Sequence, residues 1–138
     1  MRYLLLLNLL ALAACASPLP SPDPQKAWVE VDSWPGDMLM ANKLDGLDLR
    51  DGRFFQVPPG KHELEASFRF EVHFGGFGAF GSGPQQTTCY LRIRYDHFVA
   101  GQRYRMEARP MQARARGWLY DAQGNVLARA TVVRCGSF

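Results

Sequence analysis

"KHELEASFRFEVHF", Lys61 to Phe74, decides the fold. Leu64, Ala66, Phe68, Phe70, Val72 and Phe74 share one parity; Glu63, Glu65, Ser67, Arg69, Glu71 and His73 share the other. A helix would gather apolar residues three and four apart. Here they recur every second residue, the spacing of a strand with one buried and one wet face. "CYLRIRY" continues the pattern, with Cys89, Leu91, Ile93 and Tyr95 on one side and Arg92 and Arg94 on the other. "RYRMEAR" sets Tyr104, Met106 and Ala108 against Arg103, Arg105, Glu107 and Arg109.

Shorter alternating runs surround these three: "WVEVD", "MLMANKL", "RFFQV", "ARARGWLY" and "VLARATVVRC". Turn-forming residues punctuate them, with Asp-Gly at 45–46 and 51–52, "PPG" at 58–60, "AG" at 100–101 and "DAQGN" at 121–125. No amphipathic helix of about ten residues fits anywhere in the chain. The expectation is an all-β fold, an antiparallel β-sandwich of about seven to eight short strands.

"HFGGFGAFGSGPQQTTC", His73 to Cys89, interrupts the alternation with five glycines and three phenylalanines. A phosphate cradle needs its glycines to lead into a helix, followed by a lysine and a hydroxyl residue. These glycines lead into another strand and no lysine follows, so the segment reads as a long hairpin tip. Phe77 and Phe80 either fold back over the end of the sandwich or stand exposed as a contact site.

The chain has 138 residues, 47% hydrophobic and 21% charged, which is enough apolar content for a core. Its charge is uneven. Residues 23–71 hold ten acidic and six basic groups, net −4, whereas residues 72–138 hold nine basic and three acidic, net +6. The arginines stand singly within alternating strands, so acidic strands facing basic ones across a sheet is the first reading. A basic face resting on anionic lipid headgroups is the second. Nucleic acid is not an expected partner.

The amino terminus sets the expected location. Met1-Arg2-Tyr3 is followed by "LLLLNLLALAA", Leu4 to Ala14, an apolar run shorter than the roughly 20 residues that span a bilayer. It has the form of a secretory signal. "LAAC", Leu12 to Cys15, resembles the lipobox of bacterial lipoproteins. The resemblance implies cleavage before Cys15, acylation of that residue, and a protein moored to the outer membrane on its periplasmic side. Residues 1–14 are then the signal peptide. Residues 15–25, with proline at every second position from Pro18 to Pro24, form a tether. Residues 26–138 form a single domain. Cys89 and Cys135 remain as an even pair in a compartment that permits disulfides, and a bond between them is expected.

Motifs for chemistry are sparse. His62 and His73 have opposite parity along one strand, and neither HxH nor HxxxH occurs, so no metal site is expected. Ser67, Ser82 and Ser137 stand outside any GxSxG elbow. Neither catalytic residues nor a cofactor are assigned. Arg114 and Arg116 share one strand face and can grip a carboxylate or phosphate. Trp28, Trp34, Trp118 and Tyr120 suit either a sugar-stacking platform or, as for most large aromatics in small sandwiches, the core. The candidate binding surface is Arg114, Arg116, Trp118 and Tyr120, with Phe77 and Phe80.

"LDGLDLRDGRFFQVPPGKHELE", Leu44 to Glu65, resembles the PEGA-type modules and related small lipoproteins of bacterial envelopes. The resemblance implies a small β-sandwich in which a strand, a Pro-Gly turn and a strand bearing His62 and Leu64 follow in order. His62 would close the turn and Leu64 would pack inward. It carries over no catalytic residues. Three classes of function follow as expectations. The first is a non-catalytic envelope lipoprotein acting by protein–protein contact. The second is a ligand-binding module for cell-wall glycan, lipid or another small molecule. An enzyme is the third, and it would need His97 or His62 to converge with carboxylates in a concave site. Exposed Trp118 and Tyr120 beside Arg114 and Arg116 would favour the second.

Overall fold

A computed structural model describes residues 17–73 and 83–138. Cys15, Phe74, Phe77 and Phe80 lie outside the described residues. The described chain forms ten strands: β1 (Ala27–Asp32), β2 (Met38–Leu44), β3 (Leu47–Asp48), β4 (Phe54–Val57), β5 (Gly60–Val72), β6 (Gln85–Phe98), β7 (Arg103–Met111), β8 (Arg114–Asp121), β9 (Val126–Arg129) and β10 (Thr131–Gly136). They make two five-stranded sheets, ordered β4-β1-β7-β8-β9 and β10-β6-β5-β2-β3. The fold is an all-β sandwich.

Alternation puts the expected residues inside. Leu64, Ala66, Phe68, Phe70 and Val72 of β5 are buried, as are Cys89, Leu91 and Ile93 of β6. They meet Val29, Phe55, Val57, Met106, Ala108 and Leu119 from the opposing sheet. Phe68 and Phe70 stack with centroids 5.0 Å apart. At one end of the core Phe98, Tyr95 and Tyr104 meet edge to face, and the Tyr104 hydroxyl accepts the Val99 N–H at 3.0 Å. That bond satisfies the polar tip of a buried ring.

The turns follow their residues. Asp45 (φ 50°) and Gly46 (φ 80°) both occupy the left-handed region, the two-residue type I′ pattern that Asp-Gly favours. They join β2 to β3. The Asp45 carboxylate then reaches β5, accepting the Glu63 N–H at 2.9 Å and contacting His62 Nδ1 at 2.6 Å. His62 Nε2 lies 3.3 Å from the Pro59 carbonyl oxygen, so this side chain does close the Pro-Pro-Gly turn. Cys89 and Cys135 are opposite residues of β6 and β10 and are disulfide-bonded.

Three features differ from the sequence expectation. Ten strands stand where seven to eight were expected. "VLARATVVRC" is two strands, because the chain leaves one sheet after Arg129 and enters the other at Thr131. Leu47–Asp48 is too short for periodicity to reveal. The pairing is also not wholly antiparallel: β1 runs parallel to β7, with Trp28 opposite Arg103 and Asp32 opposite Glu107.

Residues 17–25 join neither sheet. They lie beside β4, an edge strand: Arg53 Nη1 donates to the Ser17 carbonyl at 2.8 Å, and the Asp23 N–H donates to Gln56 Oε1 at 3.0 Å. Pro22 and Pro24 line a hollow with Trp28. An edge strand flanked in this way is shielded from pairing with another chain.

Candidate binding face

The outer faces of the two sheets handle charge differently. On the β5–β6 ladder, Glu63 stands opposite Arg94 and Glu65 opposite Arg92. Arg94 Nε bonds Glu63 at 2.6 Å, and Arg92 reaches both Glu65 (3.4 Å) and Glu63 (3.1 Å). Acidic and basic strands therefore do face one another here, as the charge split suggested. Little net charge is left over.

The other sheet is not balanced. Its outward positions carry Arg103, Arg105, Arg109, Arg114, Arg116 and Arg129 against Glu30, Asp32 and Glu107. Register sets their order: Arg105 faces Tyr120, Glu107 faces Trp118, Arg109 faces Arg116, and Arg129 faces Trp118 from the far side. Glu107 is shared, 2.6 Å from Arg109 and 3.6 Å from Arg105. Those two guanidiniums also cover rings, Arg105 over Tyr120 and Arg109 over Trp34, each at 4.8 Å. Arg103, Arg114, Arg116 and Arg129 have no carboxylate within 4.0 Å among the described residues.

Arg114, Arg116, Trp118 and Tyr120 are thus brought together on one outward face of β8. Of the large aromatics, Trp34, Trp118 and Tyr120 lie on the outer face rather than in the core. Trp118 and Tyr120 are half-buried on the outer face, and Trp34 is 54% exposed. In "ARARGWLY" the inward parity belongs to Ala115, Gly117 and Leu119, which are buried. Gly117 is small for a reason: a Cβ there would lie 3.0 Å from the Ala130 Cβ and 3.2 Å from Leu91. Trp28 is buried, but on the outer side, stacked on Phe54 with centroids 4.3 Å apart.

Sequence reasoning joined Trp34 to Trp118 and Tyr120 only in the stacking-platform reading, and did not single out Arg109 or Arg129. Trp34 was findable, since "WPGD" is a type II turn signal. Gly36 sits at φ 92° and the Asp37 N–H donates to the Trp34 carbonyl at 3.0 Å. Burial raises the Asp37 carboxyl above its ordinary value, with Glu71 adding to the rise and nearby Arg109 opposing it. Arg129 had no local signal, because its neighbour Trp118 is fixed by sheet order.

A shallow notch of about 360 Å³ opens on this face, lined by Ala115, Arg116, Gly117, Trp118, Arg129 and Ala130. Its origin is topological. The β8–β9 ladder ends at Trp118–Arg129, and the Ala130 N–H makes one more bond, to the Gly117 carbonyl at 2.8 Å, before the chain crosses over.

A second hollow, about 260 Å³, gathers Asp45, Lys61, His62, Glu63 and Arg94. The Asp45 carboxyl is held below the usual range, first by the Glu63 N–H and then by His62. Both His62 ring nitrogens have acceptors beside them, and no serine or cysteine lines this hollow. His73 and His97 are exposed at strand ends. No group of three or more His, Cys, Asp or Glu side chains suited to a metal exists among the described residues. Among the same residues no helix is long and apolar enough to cross a membrane. No protein-family model matches this chain, and neither a curated protein nor a solved structure does.

Proposed function

We propose that this protein is a lipid-anchored, non-catalytic binding module of the bacterial cell envelope. Its working surface is the outer face of the β4-β1-β7-β8-β9 sheet. Acylation of Cys15 at the "LAAC" motif supplies the anchor, on the outer membrane and facing the periplasm. Of the two binding readings left open by the sequence, a ligand module has the better support. The observation that carries it is the outward placement of Trp118 and Tyr120 beside Arg114 and Arg116. Rings supply flat apolar area and guanidiniums supply forked donors, so such a face suits an anionic envelope molecule.

Contact with another envelope protein is the second reading. Trp34, Met38 and Met40 favour it, being large apolar side chains left 54%, 52% and 41% exposed.

The test is a crosslinking pull-down from intact envelopes, comparing the native chain with Cys15→Ala and with an Arg114→Gln/Arg116→Gln form. The expected result is enrichment of an anionic glycan or lipid that both variants reduce. A stoichiometric protein partner, retained by the arginine variant, would overturn the ligand reading. Mass spectrometry of the mature chain tests the anchor, since an unmodified Cys15 excludes it.

A further inference from the structure

We propose that the notch at the β8–β9 crossing is a binding site for one phosphorylated sugar ring. In this site Trp118 stacks on the ring while Arg116 and Arg129 hold the phosphate. The inference rests on the ligand reading above and names the class of ligand.

Several groups on this outer face are already engaged. Of the outer-face rings, Trp28 is stacked under Phe54, Trp34 lies under Arg109 and Tyr120 under Arg105. Trp118 has no such ring or guanidinium partner among the described residues. Of the arginines, Arg105 and Arg109 are committed to Glu107. Arg116 and Arg129 have no carboxylate within reach among the described residues, and both line the notch that Trp118 lines. The unengaged ring and two unengaged cations therefore converge in one concave place. Arg103 and Arg114 also lack a carboxylate, but neither borders this notch.

Energetics point the same way. Arg116 stands directly opposite Arg109, and like charges directly opposite across a ladder are destabilising. Glu107 offsets Arg109 but not Arg116, so a bound anion at Arg116 would relieve the repulsion. A guanidinium presents parallel donors matched to phosphate oxygens, and two of them around one anion add specificity. The indole lining the same notch selects a ligand with a flat or pyranose face rather than a bare ion. At about 360 Å³ the notch is at the small end of ligand sites, sized for a single ring. The other lining residues, Ala115, Gly117 and Ala130, bring no long side chain to it.

The test uses the full-length chain, with binding read from the indole N–H resonance that Trp118→Phe removes. The probes are N-acetylglucosamine 1-phosphate, unphosphorylated N-acetylglucosamine and inorganic phosphate. The sugar phosphate should bind at least about tenfold more tightly than either fragment. Arg116→Gln and Arg129→Gln should each weaken it about tenfold or more, the usual effect of losing a charge-assisted hydrogen bond. Arg69→Gln, exposed on β5 of the other sheet, should change it less than about twofold. Melting curves confirm that each variant is folded. A phosphorylated glycolipid in vesicles supplies a second arm: binding of either form supports the site, and their ratio identifies its source. Equal binding of the neutral sugar would overturn the proposal, and so would wild-type affinity in both arginine variants. An effect of Arg69→Gln equal to that of Arg116→Gln would sink the notch, leaving only a general effect of net charge. Failure of every probe sinks the notch too; the wider reading falls only if the envelope pull-down also yields no anionic ligand.

Discussion

The disulfide between Cys89 and Cys135 joins a central strand to an edge strand whose own burial is slight. Thr131, Val133 and Arg134 of β10 are exposed, and only Val132, Cys135 and Gly136 are half-buried. The ladder is also irregular between Val132 and Arg134. Besides the bond, the ladder to β6 and the Arg134–Tyr90 contact are what fix the carboxy-terminal strand. The bond closes a loop of 46 residues. In the chain-entropy treatment, closing a loop of that length removes about 4 kcal/mol of freedom from the unfolded chain. At roughly 2.1 cal/mol/K per residue over about 110 residues, that loss lowers the melting temperature by roughly 15–20 °C. The perturbation is Cys89→Ala/Cys135→Ala, read by urea denaturation under oxidising conditions. The midpoint should fall, and the slope should rise as the unfolded chain expands. Hydrogen exchange should show β10 amides losing protection before those of β5. A loss below about 1 kcal/mol would refute the reasoning, as would two titratable thiols in the native protein.

Three further outcomes are expected. Phe68→Ala removes a fully buried ring from its stack on Phe70, and should cost about 3–5 kcal/mol in calorimetry or denaturant titration. Gly117→Val forces methyl groups against Ala130 and Leu91 and should cost about 1–3 kcal/mol by the same measurement. The Asp45 carboxyl sits below its ordinary value of 3.8. A depressed folded pKa contributes stability above the unfolded value and loses it as pH falls through the folded one. Asp45→Asn, which tolerates the left-handed turn position, should therefore destabilise at pH 7 by less than about 1 kcal/mol, the pair being open to solvent. That gap should close as pH drops below 3.8, and a gap that widens in acid would contradict the assignment.

Some of this was readable from residues alone because it depends on local spacing. Period two placed Phe68 and Leu91 inward and Arg92 outward without knowledge of any neighbour. Asp45-Gly46 announced its turn, and the parity of Arg114, Arg116, Trp118 and Tyr120 put them on one face. Sheet membership is a different kind of fact. Both halves of Val126–Cys135 alternate, and Ala130 is no turn former, so nothing local marks the step between sheets. The pairing of Trp28 with Arg103 spans most of the domain and has no motif. The notch inherits this limit. Trp118 and Arg116 were visible as a pair, but Arg129 joins them only because β9 is the next strand of that sheet. Trp118 and Tyr120 face outward despite their size because parity outranks hydrophobicity on a strand. The inward neighbours Gly117 and Leu119 had already filled the space.

The parallel seam between β1 and β7 bears on the order in which the molecule can assemble. During synthesis β1 emerges early, whereas the strand on its inner side starts at Arg103. Until then it can pair only with β4, which is four residues long. A two-stranded ribbon of that size does not persist alone in water. β1 and β4 must therefore wait, with Ala27, Val29 and Phe55 still wet, for β7 to arrive. Such late, long-range closure makes folding slow relative to hairpin-built sandwiches, and favours keeping the chain unfolded until its last third has been made.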